Sequence, residues 1–139
     1  MRTILALLAA ATAFSPALAA DPVTMATTLT GAAEVPGPGD ADGTGTASLT
    51  IDATKGEVCY KLGASGIDAA TMAHIHKGAA GVAGPVVVPL DPPATGASEG
   101  CKPVAADVIA AILATPSDYY VNVHTAAFPK GALRGQLGK

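Results

Sequence analysis

The chain has no tryptophan, and aromatic residues make up only 4% of it. Stacking nucleic-acid bases on an aromatic platform is therefore not an available binding mode. Charge is sparse too, at 14% of residues with a net of −3, so no broad basic surface exists to neutralise phosphates. There is no lysine-bearing glycine loop for phosphates and no cluster of acidic residues that would cage a hard cation. Kinase chemistry lacks its residues, and hydrolase chemistry is not expected. Asparagine and glutamine occur once each, as Asn122 and Gln136. Long apolar runs are absent with one exception, and 139 residues leave room for a single domain.

The exception lies at the start. Met1-Arg2-Thr3 carries a positive charge, Ile4 to Phe14 is free of charge, and Ala17-Leu18-Ala19 has the small-x-small pattern of a cleavage site. This reads as a removable secretory leader over residues 1–19. The run is too short to cross a bilayer, which takes about 20 residues. No membrane span is expected after cleavage, and the protein is expected in a periplasm or outside the cell. Arg2 is the only basic residue of the leader, so the remaining chain keeps 7 of the 8 basic residues against 11 acidic ones. Export also decides how Cys59 and Cys101 are read. An even cysteine count in an oxidising compartment points to a disulfide between them.

Beyond the leader the sequence alternates short β-branched runs with Gly and Pro breakers. Candidate strands are Thr24–Thr30, Thr44–Asp52, Glu57–Gly63, Thr71–Lys77, Pro85–Leu90, Tyr119–Thr125 and Ala132–Leu137. The stretch from Pro92-Pro93 to Gly100 reads as a breaker. Val104, Val108, Ile109 and Ile112 form one apolar stripe, which predicts a helix over Val104–Ala114 with Pro103 in its first turn. The expected fold is mainly β, a Greek-key sandwich or barrel with one short helix before the penultimate strand.

All three histidines fall in predicted strands. His74-Ile75-His76 places two imidazoles on one strand face, because residues two apart share a face at roughly 6.5–7 Å. In Tyr120-Val121-Asn122-Val123-His124 the valines face one way, and Tyr120, Asn122 and His124 the other. If the two strands are neighbours, the three imidazoles make a nitrogen-rich site for copper or, as second choice, zinc. Thiolate-free imidazole sets suit Cu(II), and copper stands highest in the affinity order for divalent ions. Arg134 and Gln136 share a face in Leu133–Leu137. Glu34, Asn122 and Arg134 are candidates for positioning the ligands or guiding an anion.

Several segments together resemble the CHRD domain, a module named after chordin. They are Leu29-Thr30-Gly31-Ala32-Ala33-Glu34-Val35-Pro36, Gly43-Thr44-Gly45-Thr46-Ala47, Ala73-His74-Ile75-His76, Gly84-Pro85-Val86-Val87, Tyr120-Val121-Asn122-Val123-His124-Thr125, and Pro129 through Leu137. The resemblance implies an extracytoplasmic β-rich domain, assigned here to residues 24–139, and implies little about activity. A fainter likeness is to the copper/zinc superoxide dismutases. Their copper site uses an H-x-H strand, a later Val-His strand and an arginine near the C-terminus, matched by His74, His76, His124 and Arg134. No histidines remain for a bridging ligand or a zinc site. The leading expectation is a non-enzymatic module binding a metal ion, with an extracytoplasmic protein as a further partner class. A dismutase-like copper enzyme and a metal-free structural or protein-binding domain are the rival readings.

Overall fold

Which face each strand turns inward follows from the alternation of apolar with small polar residues. In the second strand, TGTASLTID, Gly45, Ala47, Leu49 and Ile51 are buried while Thr44 and Thr46 stay exposed. The computed structural model describes residues 19–138, so the leader expectation lies almost wholly outside the described residues. The strands are β1 Val23–Thr30, β2 Thr44–Asp52, β3 Glu57–Ser65, β4 Ala70–Lys77, β5 Val86–Leu90, β6 Ala97–Pro103, β7 Tyr119–Thr125 and β8 Leu133–Gln136, with helix α1 at Ala106–Ala114. They form one antiparallel sheet in the order β5-β4-β7-β8-β1-β2-β3-β6.

The sheet curls until its two edge strands nearly meet. Asp91, just past β5, ties that seam: it accepts from Tyr60 Oη of β3 at 2.6 Å and from Lys102 Nζ of β6 at 2.8 Å. Around this nearly closed barrel β4, β5 and β6 follow one another, and β7 returns beside β4. That is the Greek-key path, and it agrees with the expected fold class. Met25, Leu29, Leu49, Ile51, Val58, Ile75, Val121 and Val123 fill the interior, and α1 adds Ile109 and Ile112. No described helix is long and apolar enough to cross a membrane.

Two expectations need correction. The segment read as a breaker up to Gly100 contains most of β6, which pairs with β3 along its length. As an edge strand it buries neither face, so the sequence carries no apolar alternation there. The helix begins at Ala106 rather than Val104. Pro103 ends β6 instead of opening the helix, and the Val104 amide is held by Gly56 O at 2.9 Å.

Cys59 and Cys101 stand directly opposite each other on β3 and β6 and are joined by a disulfide. The bond closes a loop of 42 residues. Replacing both cysteines by serine is expected to lower stability by about 3–4 kcal/mol, the entropy of leaving such a loop open in the unfolded chain. Denaturant midpoints of the two proteins measure it.

Candidate metal centre

Strand β7 is buried on both faces. Its inner face carries Val121 and Val123 into the barrel. Its outer face carries Tyr120, Asn122 and His124, roofed by loops instead of by a second sheet. The strand's neighbours extend that polar face. Across β4, β7 and β8 the register aligns His74 with Asn122 and Arg134, and the next row aligns His76 with Tyr120 and Gln136. The adjacency on which the three-histidine expectation depended is therefore present.

The imidazoles converge. His74 Nδ1 lies 3.2 Å from His124 Nε2. One nitrogen from each of His74, His76 and His124 falls within 4.8 Å of the others. Ligand nitrogens held 2.0–2.1 Å from one tetrahedral ion stand about 3.3 Å apart, so the closest pair already has that separation.

Backbone carbonyls set the tautomers. A carbonyl oxygen accepts only, so the ring nitrogen facing it must carry the proton. His76 Nδ1–H donates to Gly84 O at 2.8 Å, and His124 Nδ1–H donates to Pro129 O at 3.0 Å. Both rings are left with an Nε2 lone pair. That of His76 is buried without a partner. That of His124 lies 3.2 Å from His74 Nδ1, which can donate to it, and 3.1 Å from the Asn122 amide, which supports the lone pair when its NH2 rather than its oxygen is turned to the ring. Burial pushes the pKa of His74 and His124 below the ordinary histidine value, and each is further lowered by a neighbouring imidazole. His74 and His124 are thus biased toward neutral, ligating rings.

Arg134 sits behind this cluster, 1% exposed. Its guanidinium carbon lies 3.5 Å from the centre of the Tyr120 ring, and Tyr120 stacks on His76 at 4.8 Å with an 8° tilt. Nη2 donates to Ala79 O at 2.9 Å and to Gln136 Oε1 at 3.2 Å, while Nη1 has no partner. Gln136 Nε2 donates to Gly78 O and Ser117 O, and Tyr120 Oη accepts from the Gly84 amide. Arg134, Gln136 and Tyr120 thereby pin the loop of residues 78–85, whose Gly84 carbonyl orients His76.

Glu34 is 4% exposed with Oε1 unpartnered. Its carboxyl fills the space against Gly131, which adopts φ +139°; a Cβ there would collide with that carboxyl. Burial raises the Glu34 pKa from 4.5 to about 7, although the nearby Arg134 charge pulls it back. In the unfolded chain the same carboxyl ionises near 4.5. The contribution of Glu34 to stability is therefore full below that pH and falls as pH rises to about 7, by up to about 3 kcal/mol, while the depressed His74 and His124 act in the opposite sense. Glu34→Gln is expected to remove this slope. Parallel unfolding titrations of both proteins at pH 4.5 and 7.5 test it.

Two features escaped the sequence reading. Gly96-Ala97-Ser98-Glu99-Gly100 spells G-x-S-x-G. Ser98 nevertheless lies on edge strand β6, not at a strand-to-helix elbow, and its hydroxyl donates to Asp91 O at 2.7 Å. The second is Met72, on the same β4 face as His74 and His76. The period-two pattern Met72-x-His74-x-His76 was the available signal. A shallow hollow of ≈ 670 Å³ over Thr28, Thr46, Ser48 and Lys61 lies on the outer face of β1–β3 and contains none of these groups.

A family model described as CHRD domain matches residues 25–137, nearly the whole chain. The chain belongs to the CHRD family. Within this CHRD domain the imidazole-bearing strands β4 and β7 both fall inside the matched span. No curated protein and no solved structure matches it.

Proposed function

We propose that this CHRD domain is an exported, non-enzymatic module that binds one transition-metal ion, copper ahead of zinc, through His74, His76 and His124. The observation carrying the reading is the carbonyl lock on two rings: Gly84 O and Pro129 O engage Nδ1 of His76 and His124, which leaves His76 Nε2 without a partner and turns His124 Nε2 toward His74 Nδ1. Histidines that ligate metals commonly have their second nitrogen committed in this way. Asn122 steadies the His74–His124 pair. Arg134 acts through Tyr120 and the 78–85 loop on His76, and Glu34 acts through Arg134. Export is supported by the leader pattern and by the Cys59–Cys101 disulfide. Equilibrium dialysis of the leader-free protein against Cu(II) and Zn(II) tests the reading. One copper per chain is expected. Sub-stoichiometric binding, or binding unchanged in His74→Ala, sinks it.

A further inference from the structure

Met72 is exposed at 45%, although methionine is ordinarily a core residue. Its position follows from a local irregularity. Ala70 pairs with Thr125 and Met72 with His124, so β4 uses two steps where β7 uses one. Such a bulge turns the strand over locally. Ala70 consequently points into the core, while Met72, two residues on, lies on the outer face. There it joins His74 and His76, spaced by two along β4, and faces His124 directly across the ladder. Cβ atoms of such directly opposed residues lie about 4.5–5.5 Å apart. Methionine is unbranched and flexible, so its sulfur can swing over the cluster. Of the three imidazoles, His74 is the least buried, and Met72, its neighbour two residues back on the same face, is exposed.

We propose that the Met72 thioether is a fourth ligand at this centre and makes it selective for Cu(I). The inference rests on the three-imidazole reading and extends it. Three imidazoles alone suit Cu(II) and Zn(II), whereas a thioether is a soft donor that favours Cu(I). No redox step is required, since a three-nitrogen, one-sulfur set binds copper supplied in the reduced state.

The test compares wild type, Met72→Leu and His74→Ala of the leader-free protein. Cu(I) affinity is titrated anaerobically against a chromophoric Cu(I) chelator, and Cu(II) affinity against a Cu(II) chelator. Met72→Leu preserves bulk at an exposed site, and an unchanged unfolding midpoint confirms that it folds. It is expected to weaken Cu(I) binding by about tenfold or more while changing Cu(II) binding by less than about threefold. X-ray absorption of the Cu(I)-loaded wild type is expected to show one sulfur neighbour that Met72→Leu lacks. Unchanged Cu(I) affinity together with an all-nitrogen shell overturns the Met72 assignment and leaves the three-histidine centre standing. Wild type binding both ions as weakly as His74→Ala overturns both.

Discussion

Replacing His124 by alanine is expected to weaken copper binding by more than about a hundredfold. Losing a residue that merely orients a ligand commonly costs 10–100-fold in affinity, and a ligand itself lies above that range. Geometry adds to the expectation. His74 and His76 sit on one strand, and His124 alone brings a nitrogen from β7. Its Nε2 is 3.2 Å from His74 Nδ1, and its Nδ1–H is committed to Pro129 O. Without it, two imidazoles on one strand face remain, with no donor on the far side of the ion. Asn122→Ala provides the graded comparison, because it removes support for the pair and no ligand; a loss of about 10–100-fold is expected there. Competition titration against a chelator gives both numbers, and thermal unfolding of the metal-free variants separates a lost ligand from a lost fold. A His124→Ala protein within threefold of wild type would falsify the assignment of His124 as a ligand.

What the sequence made legible follows from what periodicity encodes. Strands with an apolar inner face, such as β2 and β7, announced themselves by alternation, and so did the faces on which the imidazoles lie. Strand β6 did not, because an edge strand that buries neither face has no pattern to display. The pairing of β4 with β7 was invisible as well. More than forty residues separate them in the chain, and the Greek-key crossover that unites them leaves no local mark. The tautomer locks were beyond reach for another reason. Gly84 and Pro129 contribute through backbone carbonyls, so neither residue type signals the contact. Met72 differs from these cases. Counting back by two from His74 places it on the imidazole face. The sequence singles out Glu34 as a positioning candidate but carries no sign that its carboxyl is buried. Its burial depends on Gly131 and Gly39 leaving room for its side chain, nearly a hundred residues away in the first case.

Arg134→Met is expected to cost about 3–5 kcal/mol of stability, the largest single-residue loss anticipated outside the apolar core. The side chain is the largest in the fully buried set, so nothing from solvent replaces its interactions. Removal abolishes two hydrogen bonds from a charged donor, each worth about 1.5–3 kcal/mol, and a desolvated contact with the Tyr120 face worth about 2. Returning the guanidinium to water in the unfolded chain offsets part of that sum. The Ala79 carbonyl also loses its donor, which frees one anchor of the 78–85 loop. Two further readouts distinguish this from a plain cavity. Arg134 is the charge that lowers the Glu34 pKa, so its loss is expected to shift the pH slope of stability upward from about 7. Combining the change with Glu34→Gln removes the Glu34 part of that slope and leaves the loss at low pH almost unchanged, because Glu34 is already protonated there. Copper affinity is expected to fall as well, through the Tyr120–His76 stack and the loosened Gly84 carbonyl. Denaturant unfolding at pH 5 and pH 8 gives the first three quantities and chelator competition the fourth. A stability loss under 1 kcal/mol with copper affinity intact would show that the guanidinium–tyrosine–imidazole stack has no part in holding the centre.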